Sequence, residues 1–291
     1  MLLPFFIALL FLQPINLELM LKRIIPSSGE TIPMIGLGTW KTFDVSLQSD
    51  RRNLKAVLST MHQQGATLID SSPMYQRSEE VIGQLTSELP FSNDFFYATK
   101  VWTEGPEAGI EQMKSSMLKM KRTVIDLMQI HNLIDWKTHL KTMREWKQKG
   151  LVRYIGITHY TDSMHEALEK IIRTEQIDFV QFNYSIFSRN AEQSLLPTAA
   201  EKGVATIINR PFGEGSLFAK VKDRSLPGWA LDYRINSWSQ FFLKYILSHP
   251  SVTCVIPATA NPLHMKQNLS AGEGDLPTER VRKKMVEYVT S

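Results

Sequence analysis

The chain has 291 residues, 43% of them hydrophobic and 21% charged, which is typical of a globular protein with a large core. The formal net charge of +4 comes from scattered lysines and arginines rather than a basic run, which argues against nucleic-acid binding. The single cysteine, Cys254, excludes an internal disulfide, and without a cysteine pair or a histidine cluster we expect no metal site.

The first residues of the chain are unusually apolar. Residues 2–15 are almost continuously hydrophobic, but a membrane span needs about 20 residues, and the basic start and cleavage site of a standard signal peptide are missing. Three interpretations stay open: an atypical export signal or anchor, a packed apolar arm, or a start assigned too early, with Met20 the true beginning. We therefore divide the chain into an apolar segment, 1–19, and a single domain, 20–291. We expect a cytoplasmic protein; an exported or membrane-anchored form is the alternative if residues 1–19 are retained.

From residue 20 onward, short apolar runs alternate with amphipathic segments of helical length. Residues 20–33 contain a turn sequence between two short apolar arms, which predicts a hairpin. Eight later runs are rich in β-branched and aliphatic residues, as expected of parallel strands buried on both faces: 34–38, 67–70, 95–100, 125–131, 152–158, 177–181, 204–209 and 253–257. The helical segments are 53–64, 78–85, 109–120, 136–149, 163–174, 191–202, 238–248, 261–268 and 276–288.

Eight strand–helix units in about 250 residues predict a closed (β/α)8 barrel, the TIM-barrel architecture, with the N-terminal hairpin closing its bottom. A doubly wound sheet is the alternative, but such a sheet usually carries a glycine-rich phosphate turn after its first strand. The segment Gly36-Leu37-Gly38 lacks the third glycine and the following helix. The long stretch 212–236 after the seventh strand is predicted to be an irregular loop that forms a lid or a pocket wall.

Titratable residues end three consecutive predicted strands. Asp70, Lys100 and His131 stand at the carboxyl ends, where the active site of a barrel lies, and Tyr75 follows Asp70 by five residues. A phenol with a pKa of about 10 donates a proton poorly near neutrality, and a neighbouring ammonium lowers that pKa. We expect Lys100 to act on Tyr75 in this way, Asp70 to hold Lys100, and His131 to hydrogen-bond a substrate oxygen. Each residue alone is often structural, but together they suit carbonyl reduction, for which a cofactor must supply the hydride.

Several segments resemble the successive motifs of the aldo-keto reductase family, in the family's order. They are IGLGTW (35–40), LIDSSPMYQRSEEVIGQL (68–85), ATKVW (98–102), IDLMQIHN (125–132), IGITHY (155–160), VQFNYS (180–185), NRPFGEG (209–215) and VIPATANPLHMKQNL (255–269). The resemblance implies a barrel that binds NADP(H) in extended form without a Rossmann motif. It also implies a catalytic tetrad of Asp70, Tyr75, Lys100 and His131.

The resemblance further implies cofactor contacts, position by position. Thr158 and His159 stand where the family usually has a Ser-Asn pair that binds the nicotinamide amide, and Gln181 shares this task. After the seventh strand many members place a tyrosine that stacks on the nicotinamide; here Arg210 is available to contact the pyrophosphate instead. The expected cofactor contacts are Gly38, Thr39, Asp70, Thr158, His159, Gln181, Asn209, Arg210, Pro211, Phe212, Thr259, His264, Gln267 and Asn268.

The last of these segments bears on cofactor choice. Asn261 and Pro262 are predicted to begin a helix, whose free N–H groups favour anions, and Thr259 offers a hydroxyl to the adenosine phosphate. Strongly NADP-selective members carry a lysine and an arginine where this chain has Ala258 and His264. On the resemblance as a whole, NADP(H) is expected in preference to NAD(H).

The pocket residues point to a carbonyl substrate. Trp40 and Trp102 match aromatic positions of the family's substrate pocket, which they would share with His131. The sequence therefore predicts an NADPH-dependent carbonyl reductase that acts as a monomer on a small-molecule aldehyde or ketone, without a metal ion and without binding nucleic acid. A non-catalytic NADP(H)-binding regulatory subunit on the same barrel, as the potassium-channel β-subunits resemble, is the alternative. A third possibility is a dehydrogenase that oxidises an alcohol or steroid.

Overall fold

The computed structural model describes residues 20–46 and 48–291. The apolar segment 1–19, and every expectation attached to it, lies outside the described residues. In the part of the chain that is described, no helix combines the length and the apolar character needed to cross a membrane.

Eight parallel strands form one sheet in which sequence neighbours are also spatial neighbours. Two bridges, between Ile35 and Val255 and between Gly38 and Ala258, bring the last strand back to the first and close the barrel. The predicted TIM barrel is therefore confirmed. The strands are β3 (Leu37–Gly38), β4 (Leu68–Asp70), β5 (Phe96–Val101), β6 (Ile125–His131), β7 (Val152–Thr158), β8 (Phe179–Asn183), β9 (Ala205–Asn209) and β10 (Cys254–Val255).

Helices follow the strands and cover the outside of the barrel. Their buried faces pack against the outward-facing strand residues in one large apolar core, as expected when parallel strands are covered on both sides. The helices are α1 (Arg52–Gln63), α2 (Ser78–Ser87), α3 (Pro106–Lys119), α4 (Trp136–Gln148), α5 (His165–Thr174), α6 (Leu195–Glu201), α7 (Ser216–Lys220), α8 (Trp238–Leu247), α9 (Pro262–Leu269) and α10 (Glu279–Thr290).

The predicted hairpin closes the amino-terminal end of the barrel. Strands β1 (Lys22–Ile24) and β2 (Thr31–Pro33) pair antiparallel. Ile25, which follows β1, and Ile32, within β2, belong to a second apolar cluster with Phe96 and Phe179, the first residues of β5 and β8. The opposite end, where the strands terminate, is thereby left as the place for a cavity.

Two predicted elements had the wrong bounds. The sixth barrel strand, β8, lies two residues later than the predicted 177–181. The helix predicted at 191–202 is a 3-10 turn, Asn190–Glu192, followed by α6, because Pro197 has no amide hydrogen and is tolerated only in the first helical turn.

The stretch 212–236 is also more regular than predicted. It contains the 3-10 turns Gly213–Gly215 and Gly228–Tyr233, with α7 between them. The short helix α7 follows glycines with positive φ at 213 and 215 and a left-handed Glu214, local conformations that side-chain periodicity does not reveal.

Candidate active site

A cavity of about 580 Å³ opens at the carboxyl ends of the strands. Its size suits a small molecule, and loops after β3, β4, β6, β7 and β9 contribute to its wall. Twelve of the residues predicted from the sequence line it: Gly38, Thr39, Trp40, Asp70, Tyr75, His131, Thr158, Gln181, Asn209, Arg210, Pro211 and Phe212.

A buried ion pair lies beneath the cavity. Lys100 is fully buried, and its Nζ donates to Oδ2 of Asp70 at 2.6 Å and to the backbone oxygen of Ser71 at 2.6 Å. Burial lowers the pKa of Lys100, but the Asp70 carboxylate and the other facing groups raise it by more, so the ammonium stays charged. Because an ammonium has three donors, one N–H remains for Tyr75.

The net pKa of Tyr75 departs from the sequence-based expectation. Burial raises the pKa of the phenol above its usual range, and Lys100, whose Nζ lies 5.2 Å from the ring centroid, opposes that rise without cancelling it. The expected lowering by Lys100 is therefore present but is smaller than the cost of placing a phenolate in a low-dielectric cavity. Tyr75 is a protonated phenol at neutral pH, the form that a proton donor needs.

His131 stands beside Tyr75 as a neutral ring. The two ring centroids are 5.7 Å apart in an edge-on arrangement. Burial first, and then the charge of Lys100, lower the pKa of His131 to about 2. Nδ1 of His131 is 2.8 Å from the hydroxyl oxygen of Ser72.

Amide side chains connect Asp70 to the far wall of the cavity. Oδ1 of Asp70 accepts from Nε2 of Gln129 at 2.9 Å and from Nε2 of Gln181 at 3.0 Å. Gln181 in turn donates to Gln129 and accepts from Asn209 at 3.4 Å. Gln129 was not predicted as a site residue, although a glutamine two residues before His131, on the same face of the strand, was the available signal.

The mouth of the cavity is crossed by charged side chains. Glu214 pairs with Arg210 and, at 3.5 Å, with Lys41, so it joins the loops after β9 and β3. Arg210 also lies 5.1 Å from the ring of Tyr160, an exposed aromatic residue that the sequence reasoning did not single out. Arg210 and Glu214 both have positive φ, a costly conformation that often occurs at functional sites.

Two predicted site residues lie beside the cavity rather than on its wall. The ring of His159 stacks on Tyr160, with centroids 5.1 Å apart, while its backbone oxygen accepts from Asn209. Trp102 is 41% exposed at the rim, with its ring centroid 6.4 Å from that of His131.

The remaining predicted cofactor contacts belong to the segment around α9, outside the cavity wall. Thr259 is buried and its hydroxyl oxygen accepts from the backbone of Asn261 at 3.1 Å. His264 and Gln267 are exposed on α9, and Asn268 is buried on its inner side. The structure thus places these four residues on a different element from the tetrad.

The residues present fit a nicotinamide cofactor. Oδ1 of Asn209 is buried on the cavity wall without a hydrogen-bond partner, and an unpaired buried acceptor is costly unless a ligand donates to it. A carboxamide N–H is such a donor. Residues 20–46 and 48–291 contain no group of three or more His, Cys, Asp or Glu side chains that could hold a metal.

Comparison with known proteins gives consistent matches. A model described as the Aldo/keto reductase family matches residues 34–284. Aldo-keto reductase str7 of Strobilurus tenacellus is 28% identical over 275 residues, covering 81% of this chain and 80% of that protein. The NADH-specific methylglyoxal reductase of Escherichia coli (strain K12) is 24% identical over 296 residues, covering 87% of this chain and 88% of its own.

A solved structure shows the same architecture. The crystal structure of an aldo-keto reductase from Klebsiella pneumoniae in complex with NADPH has a TM-score of 0.78 and 22% sequence identity. The match covers 93% of this chain and 96% of that one. At this identity the similarity concerns the fold.

Proposed function

This chain belongs to the aldo/keto reductase family of NAD(P)H-dependent oxidoreductases, and we propose that it reduces an aldehyde or ketone with Tyr75 as the proton donor. One observation carries the proposal. A protonated phenol and a neutral imidazole line the same cavity directly above a buried Lys100–Asp70 ion pair. Two neutral donors beside a fixed positive charge suit an oxygen that becomes an alkoxide.

The chain's own residues supply binding and the proton. When it is bound, the nicotinamide supplies the hydride. Tyr75 donates its phenolic proton to the substrate oxygen, and the remaining N–H of Lys100 stabilises the phenolate left behind. Asp70 holds Lys100 in place through the 2.6 Å ion pair. His131 donates a hydrogen bond that orients the substrate oxygen towards Tyr75.

We propose NADP(H) as the cofactor, with NAD(H) as the weaker ligand. Thr158, Gln181 and Asn209 would hold the nicotinamide end, and Arg210 would face the pyrophosphate. The Klebsiella pneumoniae structure is a complex with NADPH, whereas the Escherichia coli relative is NADH-specific. The exposed His264 and Ala258 provide no permanent cation for a 2′-phosphate, so the preference for NADPH is expected to be modest.

The wall of the cavity favours substrates with an apolar group. Trp40, Met74, Phe212 and Phe218 line it beside the polar residues. Such a surface binds hydrocarbon or aromatic parts of a small molecule, while the few polar groups fix its orientation. We therefore propose small aldehydes and ketones that carry an apolar substituent.

The test compares the wild type with Tyr75→Phe. NADPH and NADH oxidation would be followed against methylglyoxal, 4-nitrobenzaldehyde and a panel of ketones, and NADPH binding by fluorescence. Because only the proton donor is lost, kcat should fall by about 100-fold or more while the Kd for NADPH stays nearly unchanged. Undiminished reduction in the variant would refute the role of Tyr75. Tight NADPH binding without turnover in the wild type would favour the regulatory-subunit alternative.

A further inference from the structure

Ser72 lies in the turn between β4 and Tyr75, where its hydroxyl is fully buried. Its oxygen has two hydrogen-bond partners among the described residues. The backbone N–H of Met74 donates to it at 3.2 Å, and Nδ1 of His131 lies 2.8 Å away. The turn is also held by its backbone, because the N–H of Tyr75 donates to the backbone carbonyl oxygen of Ser72 at 2.9 Å.

Counting hydrogens decides which atom donates in the contact between Ser72 and His131. A serine hydroxyl has one hydrogen to donate, and the Met74 N–H already uses one of its acceptor positions. If Nδ1 of His131 carried a hydrogen and donated it to Ser72, the serine O–H would be buried with no acceptor, which is costly. The serine therefore donates to Nδ1, and the hydrogen of the neutral ring lies on Nε2.

The other side of the imidazole is open to a ligand. In the described part of the chain no group hydrogen-bonds Nε2 of His131, and the residue lines the cavity. We propose that Ser72 is a positioning residue that fixes His131 as the Nε2–H tautomer, so that this N–H and the phenol of Tyr75 donate to the same carbonyl oxygen. The proposal rests on the proposed carbonyl reduction for its consequence, but the tautomer itself can be observed without turnover.

The turn that carries Ser72 is also joined to the ion pair. Its neighbour Ser71 accepts from Lys100 through its backbone oxygen, so the turn that carries Ser72 is anchored at the base of the cavity. Because the Ser72 hydroxyl is held in place, its hydrogen bond limits rotation of the His131 ring and also selects the tautomer. Without the hydroxyl, Nδ1 would face an apolar gap, and the ring would be free to place its hydrogen on either nitrogen.

The experiment uses the NADPH-bound enzyme with ring-15N-labelled histidine, with the His131 signals assigned by their loss in His131→Gln. The Nε2–H tautomer is expected in the wild type, and a mixture of tautomers in Ser72→Ala. For methylglyoxal, kcat/KM in Ser72→Ala should fall by about tenfold, the upper range for one lost hydrogen bond, while the Kd for NADPH changes by less than about twofold. As the control, Thr86→Val removes a buried hydroxyl hydrogen bond near the C-terminal end of α2. It should leave the His131 tautomer and kcat/KM as in the wild type.

Two results would overturn the role of Ser72. One is a wild-type His131 with its hydrogen on Nδ1, which needs no variant and so does not depend on whether Ser72→Ala folds. The other is a Ser72→Ala protein with an unchanged tautomer and unchanged kcat/KM. A wild type that carries the Nε2–H tautomer yet reduces no carbonyl would instead refute the proposed function and leave the tautomer assignment standing.

Discussion

At the residue scale, Lys100 and burial act in opposite directions on the pKa of Tyr75. Burial favours a protonated Tyr75 and raises its pKa, while the phenolate formed after proton transfer needs a nearby cation. Lys100 supplies this cation, yet it lowers the pKa of the phenol by less than burial raises it. Asp70 and the Ser71 carbonyl accept two of its three N–H groups. The ammonium is therefore fixed in position before the substrate enters.

Replacing Lys100 by methionine should be severe for both activity and stability. Loss of the cation removes the one group that lowers the phenol's pKa, so we expect kcat/KM to fall by about 100-fold or more and the alkaline limb of its pH profile to move to higher pH. The Asp70 carboxylate would lose its buried partner, at a cost of about 3–5 kcal/mol in the free energy of unfolding. Measurements of kcat/KM against pH and of denaturant unfolding test the two effects.

A double variant separates the electrostatic effect from a packing effect. Lys100→Met combined with Asp70→Asn removes both charges, so it should recover part of the lost stability while staying inactive. An unchanged pH profile in the single variant would contradict the role of Lys100 in tuning Tyr75.

The sequence predicted where the strands place side chains, but it did not predict the contacts that depend on side-chain conformation. The placement of Asp70, Lys100 and His131 at one face was predictable because each lies at the end of an apolar strand or one residue before it, and strand ends meet at one face of a barrel. The contact between Ser72 and His131 spans 59 residues and depends on one hydroxyl rotamer, which no periodicity encodes. The ring of His159 likewise turns onto Tyr160 for reasons of local packing.

At the element scale, an apolar run that ends abruptly predicted its boundaries better than a pattern that continues through a turn. The boundaries of β6 and β7 agree with the prediction because their apolar runs are long and end abruptly. The start of α6 was wrong because the apolar pattern continues through the preceding turn, and only the geometry of Pro197 sets the boundary. The cap of α9 was right: the side chain of Asn261 accepts from the backbone N–H of Leu263 at 2.9 Å.

The residues that directly precede α9 and α10 offer a matched pair of variants. Asn261→Ala should lower the free energy of unfolding by about 1 kcal/mol, because α9 loses its capping hydrogen bond. Thr278→Ala should have a much smaller effect, since Thr278 precedes α10 without a side-chain capping bond. Denaturant midpoints of the two variants provide the measurement, and equal losses would mean that the cap of α9 contributes nothing specific.

At the scale of the whole molecule, folding lowers the pKa of several histidines. Burial lowers the pKa of four of the seven histidines, namely His131, His159, His165 and His249. In the unfolded chain these rings take up protons near pH 6.5, whereas in the folded protein they do so only at lower pH. As the pH falls below 6.5 the unfolded state binds more protons than the folded state, so the free energy of unfolding decreases; above 6.5 this contribution is fully retained.

His249 allows this linkage to be measured away from the active site. Burial, followed by the charge of Arg282, lowers its pKa to about 4, and Glu192 opposes the change. Its Nδ1 also accepts from the backbone N–H of Ser251 at 3.2 Å, a bond that protonation would remove. His249→Asn keeps an acceptor but cannot titrate. Because the ring is only partly buried, we expect the variant to lose about 1 kcal/mol less unfolding free energy than the wild type between pH 7 and pH 5. Parallel denaturant curves at the two pH values measure the difference, and identical losses would show that His249 contributes nothing to the pH dependence.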